Sequence, residues 1–216
     1  MTDFEIASLE IAKQANYIQI IGIIFALLSV VGFYIDYRNR KNKEKTEKSI
    51  VLAEKFAHDI IDNISFITVT FKALGLDKII KRNKFTRFID FDIEELKELY
   101  SDEELSQFTK TLTESDPDGS LGFTINETLN ELEYMCMYIT TGVADKNCIY
   151  NSLHQQFFKA ISYLYINISL INVDNKDKYY TNIINVYNIW KEKYIKACKK
   201  EKYFKDKLKP KNKKIN

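Results

Sequence analysis

The sequence predicts an all-α protein: a single N-terminal transmembrane helix followed by a cytosolic bundle of about four main helices. Three observations predict it. Residues 17–35 read YIQIIGIIFALLSVVGFYI, nineteen residues with no charge and one amide, Gln19. At about 1.5 Å per residue such a helix is roughly 28 Å long, close to a hydrocarbon core about 30 Å thick. Glycine and proline are scarce, six and two in 216 residues, whereas strand-rich folds need turn residues at short intervals. Beyond position 49, apolar residues recur at three- and four-residue spacing, the period of a helix with one buried face.

Taken in order, residues 1–16 form an extracytoplasmic lead and 17–37 the transmembrane helix. Residues 38–49 are a charged juxtamembrane helix, 50–198 the bundle and 199–216 a basic tail. Before the apolar run stand Asp3, Glu5, Glu10 and Lys13; after it stand Arg38, Arg40, Lys41, Lys43, Lys45 and Lys48. Positive residues stay on the cytoplasmic side, so the N-terminus faces out and the bundle lies in the cytoplasm, below an inner (plasma) membrane. A cleaved signal peptide fits less well: the run is too long, its leading flank is acidic and no A-x-A site follows. Gly22, Ala26 and Ser29 fall at i, i+4 and i+7, a small-residue stripe that would let a second copy approach closely. Ordinary membrane-helix composition explains the stripe as well. Three cysteines without close spacing argue against a disulfide framework.

No glycine or proline interrupts residues 36–49, so the helix continues. Ile50, Ala53, Ala57, Ile60, Ile64, Ile67, Phe71 and Leu74 then form a stripe that suits a parallel coiled coil or the first helix of a bundle. Flanking Leu52, Phe56 and Phe66 widen it and favour the bundle. Gly75 is a stop. Residues 77–84 read as a short helix or turn and 85–91 as an apolar, aromatic connector. Residues 92–100 and 101–113 read as short acidic helices, the second opened by a Ser101/Glu104 capping box. A loop over 114–123 contains Asp-Pro-Asp-Gly, and a Thr124/Glu127 capping box opens the next helix. Its inner face is Ile125, Leu129, Leu132, Cys136, Ile139 and Val143. Gly142 ends it and Asp145 caps the following helix, which carries Leu153, Phe157, Ala160, Leu164 and Ile168. After a turn at 172–177 the last helix shows Tyr180, Ile183, Tyr187, Trp190, Tyr194 and Ala197.

Chemistry is sparse. Asp116, Asp118, Ser120, Thr124 and Glu127 occupy positions 1, 3, 5, 9 and 12 of a twelve-residue calcium loop. Position 6, where the sharp turn requires glycine, is Leu121, and a turn followed by the capping box explains the same residues. His58-Asp59 resembles a metal-phosphohydrolase pair, but His154 is the only other histidine. No catalytic residue, cofactor-binding motif or nucleophile elbow emerges, so an enzyme is not expected. Charge is segregated. Residues 90–118 hold eleven acids against Lys97 and Lys110, and residues 191–216 hold twelve lysines against Glu192, Glu201 and Asp206. Lys196, Lys199, Lys200, Lys202, Lys205 and Lys207 interleave with Tyr203 and Phe204. That tail suits anionic lipid, nucleic acid, the acidic 90–118 region or solvent alone.

From Leu129 onward the chain resembles an uncharacterised bacterial family with a domain of unknown function. Leu129-Asn-Glu-Leu-Glu133, Ile139 with Gly142 and Asp145, Tyr150, Phe157-Phe158, Tyr179 and Trp190 carry the resemblance. It implies an N-terminal membrane helix and a cytosolic helical domain, and some relatives lie near phage-defence genes. It implies no catalytic residue. The function expected is a membrane-anchored interaction module that binds a protein partner or itself, with a place in antiviral defence. The alternative is a membrane-anchored nucleic-acid-binding protein acting through the lysine-rich C-terminus.

Overall fold

A chain poor in helix breakers makes helices, and the computed structural model is helical throughout, with no strand among the described residues. It describes the backbone of residues 3–81, 86–116, 118–173 and 178–208, and side chains from 27 to 199 within those ranges. Two compact units divide the chain, Met1–Glu47 and Lys48–Asn216.

The first unit is helix α1, Asp3–Lys55, up to Glu47. The uninterrupted helix through the charged extension is as the sequence predicts. Ion pairs at i, i+4 line it, Arg40–Asp36 at 2.9 Å and Lys43–Glu47 at 3.8 Å. Both are exposed, so each contributes only a few tenths of a kcal/mol, about 0.3–0.5.

The second unit opens with the last turns of α1. A π-helical turn, Phe56–Ile60, joins them to α2, Ile61–Ala73. This turn corrects the sequence reading. The regular stripe puts Ile50, Ala53 and Ala57 on the face of Ile60. In the structure Ser49, Leu52 and Phe56 are buried instead, while Ile50 is 50 % exposed, Ala57 is exposed and Ala53 is only partly covered. A π turn holds about one residue more than an α turn, so the turns of α1 in this unit are rotated by about 100° from the regular stripe. Beyond it, Ile60, Ile64, Ile67 and Phe71 are buried as expected. Gly75, at φ 73°, then ends the run, and a 3₁₀ turn follows at Leu76–Lys78.

The acidic helices are α3, Ile93–Lys97, and α4, Asp102–Glu114. Asp92 caps α3, and both halves of the Ser101/Glu104 capping box are formed on α4. Helix α5, Ser120–Thr140, starts four residues before the predicted Thr124/Glu127 box. The Asp116 carboxylate explains why. It accepts the N–H groups of Leu121 (2.9 Å) and Gly122 (2.7 Å), satisfying orphan donors of the first turn. Thr124 is thus an interior residue whose Oγ1 donates back to the Ser120 carbonyl.

Gly142, at φ 71°, closes α5, and Asp145 caps α6, Lys146–Ile171, by accepting from Asn147 and Cys148 N–H. Helix α7, Thr181–Leu208, completes the bundle. Helix α6 packs on α2, α3, α5 and α7, and all residues from Ala160 to Ser169 are buried. The second half of α6 is thus covered on every side. The chain's single tryptophan, Trp190 on α7, packs edge-on to Tyr150 (5.5 Å) and Phe157 (4.9 Å) of α6.

The aromatic connector is packed, as expected: Phe88 lies on Tyr165 at 4.9 Å, and Phe91 lies edge-on to Tyr187 at 4.9 Å. Phe91 and Tyr180 are non-glycine residues at positive φ, 52° and 60°, an uncommon and costly conformation. One buried side chain ties the two loops together. Asn172 Nδ2 donates to the carbonyls of Phe91 (3.2 Å) and Tyr179 (3.3 Å), and its Oδ1 accepts Tyr179 N–H (2.8 Å).

Candidate functional site

The nineteen-residue apolar run falls partly on described residues. From Leu27 to Tyr37 the large apolar side chains are 52–76 % exposed: Leu27, Leu28, Val30, Val31, Phe33, Tyr34, Ile35 and Tyr37. At 100° per residue these positions cover about 220° of the circumference of α1, and Ser29, Gly32 and Asp36 fall together on the remaining face. A Cβ built on Gly32 meets nothing within 4 Å. Among the described residues no helix is long and apolar enough to cross a membrane. The first half of the predicted span, residues 17–26, and with it Gly22 and Ala26 of the small-residue stripe, lies outside the residues whose side chains are described. Ser29 falls within them.

The calcium-loop candidate is not a loop. Ser120, Thr124 and Glu127 stand on α5, and Asp116 spends both carboxylate oxygens on the first turn of that helix. Those N–H groups hold its pKa below the ordinary carboxylate value. Asp118 accepts Ser120 N–H at 3.2 Å. A calcium loop turns its oxygens inward around one point, which a helix from position 120 cannot do. No group of three or more His, Cys, Asp or Glu side chains able to hold a metal occurs among the described residues. His58 is exposed in the π turn. His154 stacks on Tyr150 at 4.5 Å, with Nδ1 against the Tyr150 carbonyl at 2.7 Å.

The basic end of the chain is helical to Leu208. Lys196 and Lys199 are exposed, and Lys196 pairs with Glu192 at 3.4 Å. The side chains of Lys200, Lys202, Lys205 and Lys207 lie outside the described residues. Tyr194, the aromatic that leads into this segment, packs on Phe158 (5.7 Å) and near His154 (6.4 Å).

Three polar assemblies escaped sequence reasoning. Lys81 N–H donates to the hydroxyls of Tyr100 (2.7 Å) and Tyr165 (3.2 Å), which also touch each other. Lys81 Nζ reaches the Leu99 carbonyl (2.7 Å) and Glu104 (2.9 Å) over the Tyr100 ring. Burial pushes both tyrosines above their ordinary pKa. Glu95 accepts the N–H groups of Ile89, Asp90 and Phe91, at 2.8–3.1 Å, a nest of backbone donors filled by the chain's own carboxylate. Glu133 on α5 caps α7 from across the bundle. It takes Asn182 N–H (3.0 Å), Asn182 Nδ2 (2.8 Å) and Ile183 N–H (2.9 Å). The Lys81 and Glu133 assemblies join residues 18 or more positions apart in the chain, so no local spacing announces them, whereas Glu95 lies four to six positions from its donors. These groups spend hydrogen-bonding capacity on one another. Compared with known protein families, curated proteins and solved structures, the chain finds no match.

Proposed function

We propose that this chain is a membrane-anchored helical interaction module, with residues 17–35 spanning the bilayer and the bundle on the cytoplasmic side. The exposed apolar surface at residues 27–37 carries the reading. A helix that exposes eight large apolar side chains within eleven residues, interrupted by a face of Ser29, Gly32 and Asp36, is costly in water and suited to lipid. The charge step from this surface into Arg38, Arg40 and Lys41 supports the orientation. The hydrogen-bonded groups around Lys81, Glu95 and Glu133 support a scaffold over a catalyst.

Carbonate extraction of membranes from expressing cells tests it: the chain stays in the pellet, and proteolysis of inside-out vesicles degrades the bundle. Replacing Leu28 and Val31 together with arginine, at roughly 2.5–3.5 kcal/mol per charge near the bilayer centre, moves it to the supernatant. A wild-type chain released by carbonate overturns the reading. Nucleic-acid binding through the basic end is the second reading, supported by the exposed Lys196 and Lys199 on α7.

A further inference from the structure

We propose that the π turn Phe56–Ile60 is a register switch, in which α1 joins α2 in either of two alignments that differ by about 100° of rotation about the helix axis. Residues 49–57 carry two inward-facing sets. One is Ser49, Leu52 and Phe56, buried in the structure. The other is Ile50, Ala53 and Ala57, in unbroken three-four spacing with Ile60, Ile64, Ile67 and Phe71. With a plain α turn in place of the π turn, Ala53 and Ala57 fall in line with Ile60 and Ile64. Ile50 then moves from the outer side to the edge of the core, and Leu52 moves from the centre to the opposite edge. Phe56 stays near the core line in both and is the pivot. A shallow groove lined by Phe56, Ile60, Ile61, Ile64, Gln156 and Lys159 runs beside the turn.

The observed register is latched at the surface. Lys55 pairs with Glu131 at 2.6 Å and sits 5.4 Å from the Tyr134 ring. Rotation carries Lys55 away from both. Helix α1 is unbroken from Asp3 to Lys55. A partner that holds the last turns of α1, from Lys48 on, in one rotational setting therefore biases the join, and by linkage the join biases that partner's affinity.

The experiment is pulsed maleimide labelling of the full chain carrying Leu52→Cys or Ile50→Cys, with the modified site read by peptide mass spectrometry. Leu52→Cys is expected to label through a local opening, at a rate flat across low urea concentrations. Deleting Ala57 removes the extra residue and leaves Leu52 and Phe56 inward in a plain α-helix. It should slow that labelling at least tenfold, while Ile50→Cys stays fast. Lys55→Ala, which removes the latch without touching the core, should speed Leu52→Cys labelling several-fold. The proposal fails if Leu52→Cys labels only in step with global unfolding at Trp190, or if neither the Ala57 deletion nor Lys55→Ala changes its rate.

Discussion

Truncating Leu52 and Ile50 separately asks which of two adjacent apolar residues faces the core. Leu52 is 6 % exposed and Ile50 is 50 % exposed. Leu52→Ala removes three carbons from a packed site, about 2.4 kcal/mol at ~0.8 kcal/mol per buried methylene. A partly collapsed cavity adds to this and brings the cost to about 3 kcal/mol, within the range for buried leucines. Ile50→Ala removes as many carbons from a side chain that is half in water, so its cost is about 1 kcal/mol or less. The assay is equilibrium urea unfolding of the detergent-solubilised chain, followed by the fluorescence of Trp190. With an m-value of about 2 kcal/mol/M, Leu52→Ala lowers the midpoint by about 1.5 M and Ile50→Ala by about 0.5 M or less. Equal shifts, or a larger one for Ile50→Ala, would mean that the regular stripe faces the core and that no π turn intervenes.

Other outcomes follow from the same packing. Asn172→Ala leaves two loop carbonyls and one N–H without their shared partner and should cost about 2–4 kcal/mol, read at Trp190. Glu133→Ala uncaps α7 and should cost about 1–2 kcal/mol, showing first as faster hydrogen exchange at Asn182 and Ile183. The lowered pKa of Asp116 means that its hold on α5 is full above its ordinary value of 3.8 and is lost as pH falls through the lower folded value. Asp116→Asn should therefore speed exchange of the Leu121 and Gly122 amides at pH 7 and flatten their acid response. Maleimide should modify exposed Cys198 at once, Cys148 more slowly and Cys136 only on unfolding, since burial pushes its thiol well above the ordinary range.

The sequence by itself determined the helical class, because six glycines and two prolines leave few places to stop a helix. It also determined the stops and caps that depend on a few adjacent residues: Gly75, the Ser101/Glu104 box, Gly142 and Asp145. Helix faces were legible where one side meets the core, as at Ile60, Ile64, Ile67 and Phe71. The start of α5 was misplaced because two local signals compete, and the Asp116 carboxylate reaches past the turn to win. Only the tertiary structure decided that the second half of α6 is buried on every side. Its polar Ser162, Asn167 and Ser169 look outward in a one-dimensional pattern but are covered once neighbours close around them. Only the structure decided the twist between α1 and α2, since Leu52–Phe56 and Ala53–Ala57 are both acceptable stripes. Which one turns inward depends on the volume the rest of the bundle leaves to be filled. The polar ties through Glu133, Asn172 and Lys81 belong to the same category, because residues dozens of positions apart in the chain become neighbours only after the helices pack.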